Sequence, residues 1–113
     1  MTIRDTVKEI QAELTRASEL VPSRAEELML MLSAMLGSIG DEIRMRRMAY
    51  SQVLLEARKK EKSAADAKLV AETSVEYQMK MEAEHVKDSA IEMLRALKIF
   101  IKNQKEDFVS THH

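Results

Sequence analysis

The sequence predicts an all-α fold, a bundle of three to four helices that includes a long antiparallel helical hairpin and is expected to form oligomers. Helix-forming residues dominate, and the 113 residues include only two glycines and one proline. Two stretches place apolar residues alternately three and four positions apart, the heptad pattern of packed helices. Aromatic residues are only 4%, which disfavours a sheet sandwich or barrel. We expect one domain, 1–113, with helices at about 2–20, 24–37, 41–62 and 64–107.

Composition narrows the classes of function. Charged residues make up 33% of the chain but nearly cancel to a net charge of −1, so the overall charge indicates no particular partner. The absence of cysteine excludes disulfides, thiolate metal sites and a cysteine nucleophile. The first residues are too polar for a signal peptide, and the longest apolar run is far below the ~18 residues of a membrane span. We expect a cytoplasmic protein with no cofactor and no membrane partner.

The first helix shows the heptad pattern clearly. Pro22 disfavours helical geometry at Val21 and is expected to end this helix. The next helix is expected to begin at Ser23, because Ser23 and Glu26 fit a capping box. The apolar residues of the first pattern are Ile3, Val7, Ile10, Leu14, Ala17 and Val21.

The stretch Leu28–Leu36 is apolar on every side of a helix. Such a helix favours burial all round, and three other helices of a small chain can hardly enclose it. We therefore expect a second copy of the chain to cover it.

Gly37 and Gly40 follow this stretch. We favour a turn or kink there, with Asp41 capping the next helix. The alternative is a continuous helix in which Ser33, Gly37 and Gly40 form a groove of small residues, at about 1 kcal/mol per glycine relative to alanine.

The third predicted helix ends in a polar tip. Residues 56–62 include no large apolar side chain, and Ser63 with Asp66 fits another capping box, so we expect the chain to reverse near Ser63. The alternative is one helix from Asp41 to Lys105, about 95 Å long at 1.5 Å per residue. The residues expected to face inward are Ile43, Tyr50, Val53, Leu54 and Ala57, with Met48 nearby.

The last helix carries the second heptad pattern. Thr73–Val75 is a candidate position for a kink in this helix. This pattern comprises Met79, Ala83, Val86, Ala90, Met93, Leu97 and Phe100, and Ile91, Leu94 and Ile101 widen the apolar face. Together with the Leu28–Leu36 stretch, it predicts an oligomer interface that consists of Leu28, Leu32, Met35, Leu36, Met79, Val86, Met93, Leu97 and Phe100.

The nine methionines allow two interpretations. Methionine is unbranched and adaptable, so methionine-rich helix faces suit the grooves of partner proteins. We favour the simpler interpretation, in which most of them belong to the core.

Basic residues cluster although the total charge is balanced. The set Arg95, Lys98, Lys102 and Lys105 is spaced 3, 4 and 3 and predicts one cationic stripe, and a second group includes Arg58, Lys59 and Lys62. Such rows can follow nucleic-acid phosphates. The alternative is a solvated helix face, or pairing with acidic segments of a second chain. Aromatic residues for base stacking are scarce.

One pair of residues suggests a metal-binding site. Glu82 and His85 share a helix face in the Glu-x-x-His spacing of ferritin-like carboxylate proteins. A dimer would supply two copies, which Glu42, Glu56, Glu72 or Glu76 could complete. The alternative is that both side chains are solvated. We expect no catalytic residues, because the sequence contains neither a phosphate-binding loop nor a nucleophile elbow.

These observations favour a non-enzymatic interaction protein, an oligomeric adaptor, scaffold or inhibitor that binds a protein partner through helix faces. The chain resembles small helical accessory proteins of phages and mobile elements in being short, rich in methionine and without a catalytic motif. The first alternative is a nucleic-acid-binding accessory protein, and the second is a ferritin-like metal protein formed across a dimer.

Overall fold

The computed structural model describes residues 2–16 and 20–111, with side chains described for 2–16 and 20–106. Within these residues it contains no strand and four helices, which are α1 (Ile3–Arg16), α2 (Pro22–Lys60), α3 (Ala64–Glu72) and α4 (Val75–Thr111). The predicted all-α bundle with a long helix pair, α2 and α4, is confirmed. The chain forms two compact units: unit 1 comprises the described residues up to Ser38 and from Asp88 onward, and unit 2 comprises Ile39–Lys87.

Helix α1 begins with a reciprocal cap. The Thr2 amide donates to Asp5 Oδ2 at 3.2 Å, and the Asp5 amide donates to Thr2 Oγ1 at 3.1 Å, so two otherwise unpaired amides are satisfied. Val7 and Ile10 are buried, as the first heptad pattern predicts. Val21 is 60% exposed, and Ala17 lies outside the described residues.

Helix α2 begins at Pro22, so the predicted start at Ser23 is wrong. The Ala25 amide donates to the Val21 carbonyl at 3.0 Å, which places Pro22 in the first turn. Proline suits that position because the amide it lacks would have no partner within the helix, and its fixed φ is already helical.

The predicted turn at Gly37 and Gly40 is also wrong, because α2 runs continuously from Pro22 to Lys60, whereas a kink at these glycines stays a prediction. The neighbouring Leu32, Ile39 and Ile43 are buried, and their burial outweighs the cost of about 1 kcal/mol per helical glycine. Among the described residues, no helix packs closely against the predicted small-residue groove, since a Cβ added at either glycine would meet nothing within 4 Å.

Gly37→Ala and Gly40→Ala are each expected to raise the free energy of unfolding by up to about 1 kcal/mol. Neither glycine has a positive φ, and the added methyl would enter open space. Urea denaturation followed by circular dichroism measures the change. Ala34→Gly, the reverse substitution at an exposed position of α2, should lower stability by a similar amount. A destabilising Gly37→Ala would contradict the open surroundings.

The core of unit 1 includes only one face of the Leu28–Leu36 stretch. Leu28 and Leu32 have no exposed surface, whereas Leu30 is 69% and Met31 is 38% exposed. The stretch is therefore not buried all round within the chain. The buried apolar residues of unit 1 are Val7, Ile10, Ala25, Leu28, Leu32, Ala90, Met93, Leu94 and Leu97.

Helix α2 ends within the polar tip that the sequence predicts. The Ser63 hydroxyl accepts a hydrogen bond from the Asp66 amide at 3.1 Å, so the predicted cap is confirmed and the single 95 Å helix is wrong. The expected helix 64–107 is interrupted after Glu72, because the Ser74 hydroxyl accepts from the Tyr77 amide at 3.2 Å and begins α4. Helix α3 is therefore a separate element.

Within unit 2, α2 and α4 pair in an antiparallel manner. Arg47 Nε donates to Glu84 Oε1 at 3.0 Å, and the rings of Tyr50 and Tyr77 lie 5.4 Å apart, so later residues of α2 meet earlier residues of α4. Met48, which was predicted to lie near the core, is 66% exposed. The buried residues of unit 2 are Ile39, Ile43, Ala57, Ala67, Ala71 and Ala83.

Candidate functional site

Four of the predicted interface residues belong to the core of unit 1. Leu28 and Leu32 are 0% exposed, Leu97 is 1% and Met93 is 8%. Little of their surface is accessible to a second chain that docks on the folded monomer, and their contact with a second chain stays a prediction. The heptad spacing is the same for a helix packed within a chain and for one packed between chains, which is why the pattern alone could not separate the two.

The other five predicted interface residues keep accessible surface. Met35, Leu36, Val86 and Phe100 are half-buried, and Met79 is 37% exposed. Their contact with a second chain stays a prediction.

The methionines lie mostly on the surface, so the interpretation that most are core residues is wrong. Among the eight that the structure describes, only Met93 is buried, and Met29 and Met35 are half-buried. The five exposed methionines are Met31, Met45, Met48, Met79 and Met81.

The most regular exposed apolar surface lies on α2 in unit 2. Met45, Met48 and Leu55 are 64%, 66% and 55% exposed. They point outward because Ile43 and Ala57, on the opposite side of the helix, are buried. With intervening polar positions they form a heptad series spaced 4, 3, 4, 3 and 4, which we name the α2 seam. The α2 seam comprises Asp41, Met45, Met48, Gln52, Leu55 and Lys59.

Other exposed apolar side chains of unit 2 lie on α3 and α4. Leu69 and Val75 are each 64% exposed, Val70 is 47% and Met81 is 45% exposed. Val70 also lines an open groove of about 420 Å³ beside the α2 seam, with which the groove shares Gln52. The groove residues are Ala49, Gln52, Val53, Glu56, Ala57, Lys60, Val70 and Glu76.

A network of charged and aromatic groups holds α2 against α4 in unit 2. Lys80 Nζ lies 5.3 Å from the ring centroid of Tyr50 and 5.5 Å from that of Tyr77, within cation–π distance. Glu84 Oε1 lies 3.6 Å from Lys80 Nζ and 3.0 Å from Arg47 Nε. Both tyrosines therefore pack against each other and Lys80, which makes them structural residues of the hairpin.

In unit 1 a bidentate ion pair joins α1 to α2. Arg24 Nε and Nη2 donate to the two carboxylate oxygens of Glu13 at 2.9 and 2.7 Å, and Nη1 donates to Glu27 at 2.8 Å. The hydrogen bonds from Arg24 lower the pKa of Glu13, and the same bonds raise the pKa of Arg24. At the start of α1, the hydrogen bonds from Thr2 lower the pKa of Asp5.

Glu13→Gln is expected to lower stability near neutral pH and to have less effect in acid. Because the folded-state pKa of Glu13 is below its ordinary value of 4.5, the carboxylate stabilises the fold above that value. This contribution is lost as the pH falls through the folded-state pKa. Urea denaturation of both proteins at neutral pH and below pH 4 measures the difference in stability.

Glu9→Gln provides the matched control for this prediction. Glu9 is exposed on the same helix, and it makes no ion pair with any residue whose side chain the structure describes. The Glu9 variant should follow the wild type at both pH values. A Glu13→Gln deficit that is as large in acid as at neutral pH would contradict the ion pair's role.

The predicted cationic residues all lie on the surface. Arg95, Lys98, Lys102 and Lys105 are exposed on α4 in unit 1, and Lys102 lies 3.9 Å from Glu106. The other three form no ion pair within the part of the chain whose side chains are described. The second group, Arg58, Lys59 and Lys62, is exposed in unit 2. Arg58 and Lys59 lie in the last turn of α2, where cations stabilise the helix dipole.

The predicted metal pair is exposed on α4. Glu82 and His85 both face solvent, and no three His, Asp or Glu side chains meet in a metal-binding arrangement among the described residues. Three of the supporting glutamates take part in ion pairs, which are Glu42 Oε1 with Arg46 Nε at 2.9 Å, Glu56 Oε1 with Lys59 Nζ at 3.3 Å and Glu72 Oε1 with Lys68 Nζ at 3.9 Å. A site that two chains would form together stays a prediction.

The candidate functional surface is therefore the exposed apolar part of unit 2, with the α2 seam as its most regular portion. None of the helices in the described ranges is both long enough and apolar enough to cross a membrane. Comparison of the chain with protein-family models, with curated proteins and with solved structures finds no match.

Proposed function

We propose that this protein is a non-enzymatic interaction protein that binds protein partners through exposed helix faces of unit 2. The observation that carries this proposal is that all four methionines of unit 2, Met45, Met48, Met79 and Met81, are exposed. Adaptable methionine side chains on a surface suit partner grooves.

The exposed apolar residues of unit 2 are grouped on successive helices. Met45, Met48 and Leu55 lie on α2, and Leu69 lies on α3. Single exposed apolar residues are ordinary, but grouped ones indicate interaction sites because water contact with them is unfavourable. Burial of such a side chain against a partner contributes about 1.5–3 kcal/mol. A few of them therefore supply a useful part of a binding free energy.

Affinity capture from the native host, with nuclease treatment, tests this proposal. Leu69→Glu removes an exposed apolar side chain of α3 and adds a charge. Ala65→Glu adds the same charge at another exposed position of the same helix, so it is a matched control. A protein partner should be retained by the wild type and by Ala65→Glu after nuclease digestion, and Leu69→Glu should retain markedly less of it.

Two results would count against the proposal. Capture that disappears on nuclease treatment would favour a nucleic-acid partner. Equal capture by the wild type and by variants of Leu69, Met48 and Val75 would show that the apolar surface of unit 2 is not the binding surface.

Nucleic-acid binding is a second candidate function, and the stripe Arg95, Lys98, Lys102 and Lys105 favours it. All four cations are exposed on one helix, three of them without an ion pair among the side chains described. Their spacing of three and four residues places neighbouring charges about 5–6 Å apart, which is compatible with phosphates along a backbone.

If the stripe binds duplex DNA, the logarithm of the binding constant should fall with the logarithm of salt concentration with a slope of about −3.6, since four cations release counterions. Fluorescence anisotropy with a labelled duplex at several salt concentrations measures this slope. Replacing Lys98 and Lys102 with Gln should reduce the magnitude of the slope by about 1.8. Replacing Lys8 and Lys68, exposed lysines on other helices, should leave it unchanged. Absent or salt-independent binding would exclude this function.

A further inference from the structure

We propose that a second copy of this chain docks on the α2 seam in an antiparallel orientation, with the two-fold axis near residue 50. This inference rests on the proposed function and makes it more specific, because it assigns one exposed face to self-association. It is carried by the spacing of the α2 seam, its exposure and the distribution of charge along it.

The α2 seam is self-complementary when one copy is reversed. In an antiparallel pair of heptad helices, each residue at heptad position a of one chain packs beside a residue at heptad position d of the other chain. With the axis near residue 50, Met48 meets Gln52 of the other copy, and Met45 meets Leu55. The outermost layer places Asp41 beside Lys59 of the other copy. Every apolar residue of the α2 seam then faces a seam residue of the other copy, and opposite charges lie on both sides of the centre.

Charge distinguishes the antiparallel from the parallel arrangement. The early end of the α2 seam is Asp41 and its late end is Lys59, which carry opposite charges. A parallel pair would bring equal charges together at both ends. An antiparallel pair brings Asp41 of one copy beside Lys59 of the other at both ends, so opposite charges meet.

The local ion pairs at these ends lie between exposed side chains. Arg44 pairs with Asp41, and Lys59 pairs with Glu56, in each case between exposed side chains. Exposed pairs of this kind are worth about 0–1 kcal/mol. They can rearrange into a larger network when the oppositely charged end of a second copy approaches.

The size of the α2 seam indicates a dissociable dimer. From Asp41 to Lys59 the helix spans about 27 Å at 1.5 Å per residue. Only Met45, Met48 and Leu55 supply large apolar surface, less than the buried core of an obligate dimer. The expected dimer therefore depends on protein concentration and coexists with the monomer.

Analytical ultracentrifugation across a wide range of concentrations tests the dimer. Met48→Glu should raise its dissociation constant roughly tenfold or more, because each dimer loses two methionine contacts near the two-fold axis. Met48 is exposed, so the monomer fold should tolerate this change. Gln78→Glu adds the same charge at an exposed position of α4 in unit 2 and should leave the dissociation constant unchanged.

Disulfide formation tests the orientation, since the natural chain contains no cysteine. One chain carries Met48→Cys and another carries Gln52→Cys. On oxidation of the mixture, the antiparallel layer predicts mainly the mixed 48–52 disulfide. Mainly 48–48 and 52–52 disulfides would overturn the antiparallel arrangement.

A charge exchange tests the flanking layers. Asp41→Lys and Lys59→Glu should each weaken the dimer because like charges then meet, and the double variant should recover it. Failure of the double variant to recover, while circular dichroism shows that it is folded, would overturn the proposed register.

The outcomes separate this inference from the proposed function. Self-association that is unaffected by Met48→Glu would overturn the α2 seam as its site but leave an interaction protein. A wild type that stays monomeric at all concentrations would overturn the inference, whereas partner capture that depends on Leu69 would still support the proposed function.

Discussion

Leu32→Ala is expected to lower the free energy of unfolding by about 2–5 kcal/mol. Leu32 has no exposed surface and belongs to the core of unit 1. The substitution removes three buried carbon atoms, so it loses their transfer free energy and leaves a cavity that the neighbouring helices fill only in part. Urea denaturation followed by circular dichroism measures the change in stability.

Leu30→Ala is the matched control, because it makes the same substitution two residues away on the same helix. Leu30 is 69% exposed, so its truncation should change stability by no more than about 0.5 kcal/mol. The deficit of Leu32→Ala should also be independent of protein concentration, since a core defect does not depend on association. Equal losses for the two variants, or a loss that vanishes on dilution, would contradict the burial of Leu32 within one chain.

The heptad spacing predicted the helices and much of the core correctly. Val7 and Ile10 in α1, and Ala90 and Leu97 in α4, are buried where the two patterns placed them. This part was predictable because helical periodicity fixes which residues share a face. The Ser63 cap was predictable for a similar reason, since its hydroxyl needs only a neighbouring amide.

The continuity of α2 could not be predicted from local preference. Glycine disfavours a helix interior by about 1 kcal/mol, and Gly37 with Gly40 therefore indicated a break. The buried Ile39 lies between them, and tertiary packing of that residue is not visible in a local propensity. Pro22 misled in the opposite sense, because proline also suits the first turn of a helix, and α2 begins there.

The candidate surface was predictable only in part. The methionine content suggested partner grooves, but it could not show which methionines are buried. On α2 two heptad series run along opposite sides, one through Ile43 and Ala57 and the other through Met48 and Leu55. Periodicity describes both equally well, and the structure alone shows that the first is buried and the second is exposed.

Ala71→Leu is expected to destabilise the protein by about 1–3 kcal/mol through overpacking. Ala67 and Ala71 lie four residues apart on one face of α3, and neither has exposed surface. Alanine at these positions allows α3 to pack closely within unit 2, and a leucine would force its neighbours from preferred rotamers. Thermal unfolding measures the effect on stability.

Ala65→Leu makes the same substitution at an exposed position of α3 and should change stability by no more than about 0.5 kcal/mol. Hydrogen exchange adds a local measurement, because strain at Ala71 should accelerate exchange of the α3 amides more than that of the Val7 and Ile10 amides in unit 1. A neutral Ala71→Leu together with a destabilising Ala65→Leu would mean that α3 packs through its other face. That result would also move Leu69 from the surface to the core, so the same measurement tests the surface on which the proposed function depends.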